Sequence, residues 1–312
     1  MNETDILCRK SGACGLITLN RPQALNALTL PIVRELMKTL CLWEQDPAVR
    51  SIIIRGAGDK AFCAGGDIRI LYELGKAGNY AEQRQFWREE YQLNRMIKHY
   101  PKPYLALTHG IVMGGGAGLC VHGTRLIADA DFSFAMPEAK IGYVPDIGAT
   151  FFLSRLPFHA GVYLGLTGSR IGCGDALALG LVSAFVPLAR HASLMQRLID
   201  GEPFQDAIAA EEAAAPTSPL MDQQDLLDHC FAPASLTEIL ARLDEVKGKR
   251  SDFARCAARA IRANSPLSLA LILRQMKIFP LPCRRRRSVS FPILGRRSFS
   301  PACLFTRASI SV

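Results

Sequence analysis

No stretch of this chain runs apolar for the roughly 18 to 20 residues that a membrane-spanning helix needs. Its ten cysteines include no C-x-x-C pair, and no group of Cys and His has metal-ligand spacing. Those two absences exclude a disulfide framework of the secreted kind and a structural zinc site. The thiols read as reduced, as in a cytoplasmic protein. The opening residues, MNETDILCRKSGACG, have neither a secretory apolar segment nor an Arg- and Ser-rich amphipathic pattern. Acids are missing from one region only. Between Phe279 and Val312 stand seven arginines (Arg284 to Arg287, Arg296, Arg297 and Arg307) and no Asp or Glu. Removing those seven from the net charge of +9 leaves +2 for residues 1–278. The body is therefore nearly neutral and needs no polyanionic partner.

What is present is a regular α/β pattern. GLITLN (15–20), SIIIRG (51–56) and YLALTHG (104–110) read as strands, and LIADADFSFAM supplies two more short ones. Thr29 and Pro31 open a helix with Ile32, Leu36 and Leu40 on one face. In AEQRQFWREEYQLNRMIKHY, Phe86, Leu93 and Ile97 form an apolar stripe. Glu90 falls on that stripe, whereas Glu89 lies off it near Gln85 and Gln92. From His191 to about Met276 the signals become helical, with a Pro/Ser break near 215–219. The chain divides into a core over 1–190, a helical region over 191–278 and a basic tail over 279–312. The tail has neither helical nor strand periodicity. It reads either as an arm for nucleic acid or a membrane surface, or as an end with no selected structure, the second being favoured.

Chemistry gathers in three places. Two glycine turns, AFCAGGDI (61–68) and VMGGGAGL (112–119), each follow a strand. Neither has the G-x-G-x-x-G or P-loop spacing of nucleotide sites. Together they can present two backbone N–H groups to one oxygen, which an oxyanion hole requires. In FAMPEAKIGYVPDIG (134–148), Glu138 and Asp146 interrupt an apolar run. Buried charges are costly unless paired or used. Across eight residues, about 26 Å of strand or about 12 Å of helix would keep the two acids apart. Gly142 and Pro145 permit the chain to fold back and bring them together. His109 and His122 have no Ser or Cys partner in sequence and read as structural, as does the Cys63 thiol.

The stretches LITLNRPQALNAL, AFCAGGDI, HGIVMGGGAGL, FAMPEAKIGYVPDIGATFFLSRLP and LTGSRIGCGDALALGLV, in that order, resemble the enoyl-CoA hydratase/isomerase (crotonase) superfamily. They are most similar to its 3-hydroxyisobutyryl-CoA hydrolase branch. The likeness covers about residues 5–276. It implies a ββα spiral core followed by helices, and an acyl-CoA substrate. It implies that N–H groups of Ala64 and Gly115 grip the thioester carbonyl. By the same resemblance, Glu138 and Asp146 join them as catalytic residues and Glu90 contacts the substrate. Gly65, Gly66, Asp67 and Gly114 would line the substrate in the two turns, and Ala24 and Leu25 would lie against CoA. Hydratases of the superfamily carry a second glutamate where this chain has Gly118, and Asp146 is the acid that the hydrolases carry instead.

The activity so implied is hydrolysis of a short branched 3-hydroxyacyl-CoA, 3-hydroxyisobutyryl-CoA above all, with Glu138 as nucleophile or as general base. CoA is part of the substrate, and no cofactor or metal is expected. A homo-oligomer is compatible with this reading, whereas membrane and nucleic-acid partners are not expected. Two alternatives stay open: a hydratase or isomerase using Glu138 alone, and a nucleic-acid-binding protein using the arginine tail. The four catalytic groups are expected to share one cavity with Glu90 on its wall.

Overall fold

The computed structural model describes residues 4–278, so the expectation of an unpacked tail over 279–312 lies outside the described residues. Ten strands form two sheets: β1 (Ile6–Ser11), β2 (Cys14–Leu19), β3 (Ser51–Gly56), β4 (Ala61–Cys63), β5 (Tyr104–Thr108), β6 (Ile111–Met113), β7 (Arg125–Ala128), β8 (Ser133–Ala135), β9 (Ile171–Gly172) and β10 (Ala184–Phe185). The large sheet runs β1-β2-β3-β5-β7-β10 and the small one β4-β6-β8-β9. Among the described strands, only β1–β2 and β8–β9 pair antiparallel. Each of the pairs β3/β4, β5/β6 and β7/β8 gives one strand to each sheet. Repetition of that step winds the chain into the expected ββα spiral.

The three-residue strands are where sequence reading fell short. YLALTHG reads as one strand, yet it belongs to the large sheet only as far as Thr108, and the small sheet starts at Ile111. Gly110 makes the corner at φ +56°, where any side chain would collide with the Lys60 carbonyl. β2, β3 and β5 are buried almost throughout, as parallel strands covered on both faces must be.

Four helices sit within the spiral: α1 (Leu30–Gln45), α2 (Ile68–Lys76), α3 (Tyr80–Lys98) and α4 (Gly115–Gly118). Phe86, Leu93 and Ile97 of α3 are all buried, as their spacing predicts. Beyond the spiral come α5 (Ala149–Leu153), α6 (Ala160–Thr167), α7 (Cys173–Ala178), α8 (His191–Ile199) and α9 (Phe204–Glu211). The last described helices are α10 (Gln224–Phe231), α11 (Leu236–Glu245), α12 (Ser251–Ala263) and α13 (Pro266–Ile278). Every residue of α6 is buried, because α10, α12 and α13 pack around it. The main apolar cluster fills the space between the sheets and these helices, while α8 and α9 cover the other face of the large sheet with Leu194, Leu198 and Ile208.

Candidate active site

α4 is one turn of four residues, GGAG, and α3 lies alongside it. Side chains from α3 occupy the space that side chains on α4 would take. A Cβ on Gly115 would run into Glu90 Oε1, and one on Gly118 would come within 2.6 Å of Asn94 Oδ1. Glu90 and Asn94 are one helical turn apart, and Gly115 and Gly118 nearly so, which lets the two polar side chains rest on two bare stretches of backbone. The position at which the hydratases carry their second glutamate is thus filled by an amide from another helix. Asn94 is a functional candidate that periodicity alone does not reveal.

The second turn faces the same ground. Gly65, at φ +104°, packs against the 113–115 backbone, and a Cβ on it would sit 3.2 Å from Gly115 N. Gly114 has φ +49° and ψ −128°, a conformation open in practice only to glycine. The Ala64 N–H donates to the Leu25 carbonyl at 3.0 Å, so it is not free to hold a substrate oxygen. That corrects the expectation for Ala64. An isolated parallel bridge pairs Leu28 with Gly66. It is closed by the Leu28 N–H to Gly65 O and the Asp67 N–H to Leu28 O, at 2.8 Å each. A residue at the centre of such a bridge points its own N–H the other way, and Gly66 N lies 3.3 Å from where a Gly115 Cβ would be. The two N–H groups that can converge are therefore those of Gly66 and Gly115.

Asp67 is also spent elsewhere: it caps α2 by accepting from Ile70 N and pairs with Arg21 at 3.1 Å. Arg21 in turn donates to the Ala27 carbonyl, which fixes the loop carrying Ala24 and Leu25 beside the 64–66 turn. Asp67 therefore supports this loop and is not available to substrate, contrary to the expectation for it.

The third component is the segment after β8. Glu138 begins a short 3-10 helix and is buried, with Oε1 3.2 Å from the Cβ position of Gly114. Gly142 turns the chain back at φ +77°, and Asp146 comes near enough for its charge to act on Glu138. The Tyr91 hydroxyl donates to Asp146 Oδ2 at 2.6 Å and lies 3.2 Å from the Tyr143 hydroxyl, whose ring stacks on Trp87. His122 Nε2 donates to the Ile147 carbonyl at 2.6 Å and pins the same segment, so its role is structural. Tyr91, adjacent to Glu90, and Tyr143 were not singled out from sequence.

The electrostatics follow from burial. Desolvation, followed by the negative charges of Asp146 and Glu138, pushes the Glu90 carboxyl up to about 8. Desolvation also raises Glu138 to about 8; a backbone hydrogen bond opposes this and the Asp146 charge adds to it. Asp146 is raised by burial as well, while the Tyr91 hydrogen bond works against the rise. Among the described residues, Glu90 Oε1, Glu138 Oε2 and both side-chain polar atoms of Asn94 are buried without a hydrogen-bond partner. A cavity of about 710 Å³ opens beside them, walled by Tyr91, Asn94, Tyr143 and Asp146, with Arg95 and Lys98 further along. Glu90 and Glu138 are not on its wall, which departs from the expectation of one shared cavity. Glu90, Glu138, Asp146, Gly65, Gly66, Gly114 and Gly115 are otherwise gathered in one region.

A family model described as enoyl-CoA hydratase/isomerase matches residues 14–280. The 3-hydroxyisobutyryl-CoA hydrolase, mitochondrial, of Danio rerio is 42% identical over 288 residues, covering 88% of this chain and 73% of its own. The human protein of the same name is 41% identical, at 87% and 72% coverage. Among solved structures, one titled an enoyl-CoA hydratase from Rhodobacter sphaeroides superposes with TM-score 0.82 at 42% identity, covering 89% of this chain and 80% of that one. Another, titled a carnitinyl-CoA dehydratase from Mycobacterium thermoresistibile, gives TM-score 0.84 at 37% identity, with 88% and 80% coverage.

Proposed function

This chain belongs to the enoyl-CoA hydratase/isomerase family, and we propose that within it the protein hydrolyses 3-hydroxyisobutyryl-CoA to 3-hydroxyisobutyrate and CoA. Its relatives carry the names hydrolase, hydratase and dehydratase, and the residues of the site separate these chemistries. The observation that carries the hydrolase reading is Gly118 packed against Asn94, with Asp146 returned beside Glu138. Adding water across a double bond calls for a second carboxylate at position 118, and that space holds an amide.

In this reading the thioester carbonyl accepts hydrogen bonds from the Gly66 and Gly115 N–H groups, which stabilise the negative charge arriving on that oxygen. Losing one such donor typically costs about 2.7 to 4 kcal/mol in the barrier. Glu138, once ionised, either attacks the carbonyl carbon, giving a mixed anhydride that water cleaves after the thiolate has left, or takes a proton from a water that attacks the carbon directly. The carbon–sulfur bond breaks, the thiolate leaves, and a proton returns to sulfur. Asp146, held by Tyr91, is the group placed to handle that proton, and Glu90 supports the acyl end from beneath Gly115. The reaction needs only the thioester and water; CoA is substrate and no further cofactor is invoked. The named vertebrate relatives are mitochondrial by title, so the cytoplasmic expectation gains no support from them. The proposal is for a reducing compartment, in keeping with free thiols at all eight described cysteines.

The test compares thiol release from 3-hydroxyisobutyryl-CoA with loss of enoyl absorbance from crotonyl-CoA. The expected result is hydrolysis without appreciable hydration, and a fall in hydrolysis of about 10² to 10⁴-fold in Glu138→Gln. Rapid hydration with negligible thiol release returns the chain to the hydratases.

A further inference from the structure

We propose that Asn94 is a specificity-determining residue, whose amide binds the hydroxyl of the acyl group and so selects 3-hydroxyacyl thioesters over their unsubstituted counterparts. The inference rests on the hydrolase reading above and goes beyond it by naming the group that recognises the hydroxyl.

Asn94 is only 6% exposed. Its Oδ1 and Nδ2 are both buried with no hydrogen-bond partner among the described residues. Its neighbours on α3 show how polar groups are otherwise handled: Glu89 is held at two oxygens by Arg34 and at one by Gln85. Leu93 and Ile97 show what α3 uses when it only needs packing. An amide left unsatisfied at such a position loses the hydrogen bonds it had in water, and a leucine would fill the same space without that loss. Asn94 nevertheless lines the cavity that Asp146 and Tyr91 share, with its two polar atoms sealed just behind that surface.

The chemistry of the missing partner follows from what an amide offers. Oδ1 accepts and Nδ2 donates, and a hydroxyl is the small group that donates and accepts in return. An ionised carboxylate only accepts, and Asp146 already accepts a hydrogen bond from the Tyr91 hydroxyl. Position agrees with this. Gly115 and Gly118 are separated by about 4.5 Å along α4, at about 1.5 Å per residue. A carbonyl gripped at Gly115 therefore places a hydroxyl two carbons away within reach of the side chain packed on Gly118. Gly118 is what admits Asn94, so one position both removes the hydratase acid and makes room for the hydroxyl's partner.

The experiment measures kcat/KM for 3-hydroxyisobutyryl-CoA and isobutyryl-CoA, which differ only in that hydroxyl, in the wild type, Asn94→Leu and Asn94→Asp. A site that hydrogen-bonds a substrate hydroxyl discriminates strongly against the analogue lacking it. The ratio of the two constants is expected to fall by about 100-fold in Asn94→Leu, the loss lying in the hydroxylated substrate. Asn94→Asp keeps the shape and, once ionised, only accepts, so at alkaline pH it too should lower the ratio, and it serves if the leucine variant does not fold. An unchanged ratio overturns the inference, whether both constants hold or both fall equally, and the equal fall would mark Asn94 as a holder of the water or of the fold. A wild type that cleaves neither thioester overturns the hydrolase reading and this inference with it. An active wild type with an unchanged ratio removes this inference alone.

Discussion

Glu89 and Glu90 are adjacent in sequence and opposite in circumstance. Glu89 faces Arg34 at 2.8 Å, and that partner holds its carboxyl below the ordinary range. Glu90, one residue on, points inward to Gly115 with no salt-bridge partner among the described residues, and burial drives it up. Both are buried, so what separates them is the partner: Glu90 lies on the apolar stripe of α3, and the arginine lies on the side of Glu89. Glu138 shares the condition, and its consequence is kinetic. Glu138 must be ionised to act, and its proton leaves at about 8, so kcat/KM should rise with pH through that region and flatten above it. The Asp146 charge contributes to the elevation. Asp146→Asn should therefore shift the rising limb to lower pH, on top of a lower maximal rate. A limb that stays in place, measured between pH 5 and 10, would show that Glu138 does not feel Asp146.

Among the elements, the contact of α3 with α4 governs which reaction is open to the fold. Gly118→Glu looks in sequence like the restoration of a hydratase acid, but the side chain would start within 2.6 Å of Asn94. Overpacking of this kind typically costs about 1 to 3 kcal/mol. We expect Gly118→Glu to lower the melting temperature without gaining crotonyl-CoA hydration, and Gly118→Glu with Asn94→Gly to recover the lost stability. A single variant as stable as wild type would contradict the packing. The same contact shows where legibility ended. β-Branched runs such as SIIIRG announce themselves, whereas β4, β6 and β9 are too short for any period to register. Glu138 and Asp146 stood out because they interrupt an apolar run. Ala64 and Gly66 could not be told apart without Leu25, a residue 39 positions upstream of Ala64 in sequence, whose carbonyl consumes one of the two N–H groups. Asn94 stayed hidden because an amide on a helix face is chemically unremarkable until the glycine opposite it is known.

For the molecule as a whole, the spiral delivers Glu90, Gly115, Glu138 and Asp146 from successive turns to one region, and the cost of that concentration falls on global stability. A carboxyl whose folded pKa exceeds its unfolded value binds its proton more tightly in the native state. The stability it contributes is fully present below the ordinary range, near 4.5, and is lost as pH climbs towards about 8. Glu89, with a lowered carboxyl, acts in the opposite sense and supports the fold above its ordinary range. Glu90 and Glu138 are buried and have no cationic partner among the described residues, so their effect on the neutral-to-alkaline side is the larger, of the order of a few kcal/mol. Glu90→Gln, which cannot ionise, should therefore unfold at higher urea concentration than wild type at pH 8 and at nearly the same concentration at pH 5. The slope of the urea transition should be unchanged, because the variant alters stability and not the surface exposed on unfolding. The reverse result, a variant weaker than wild type at pH 8, would mean that the ionised Glu90 has a partner in solution that compensates its burial. That outcome would remove Glu90 from the set of strained acids on which the proposed chemistry rests.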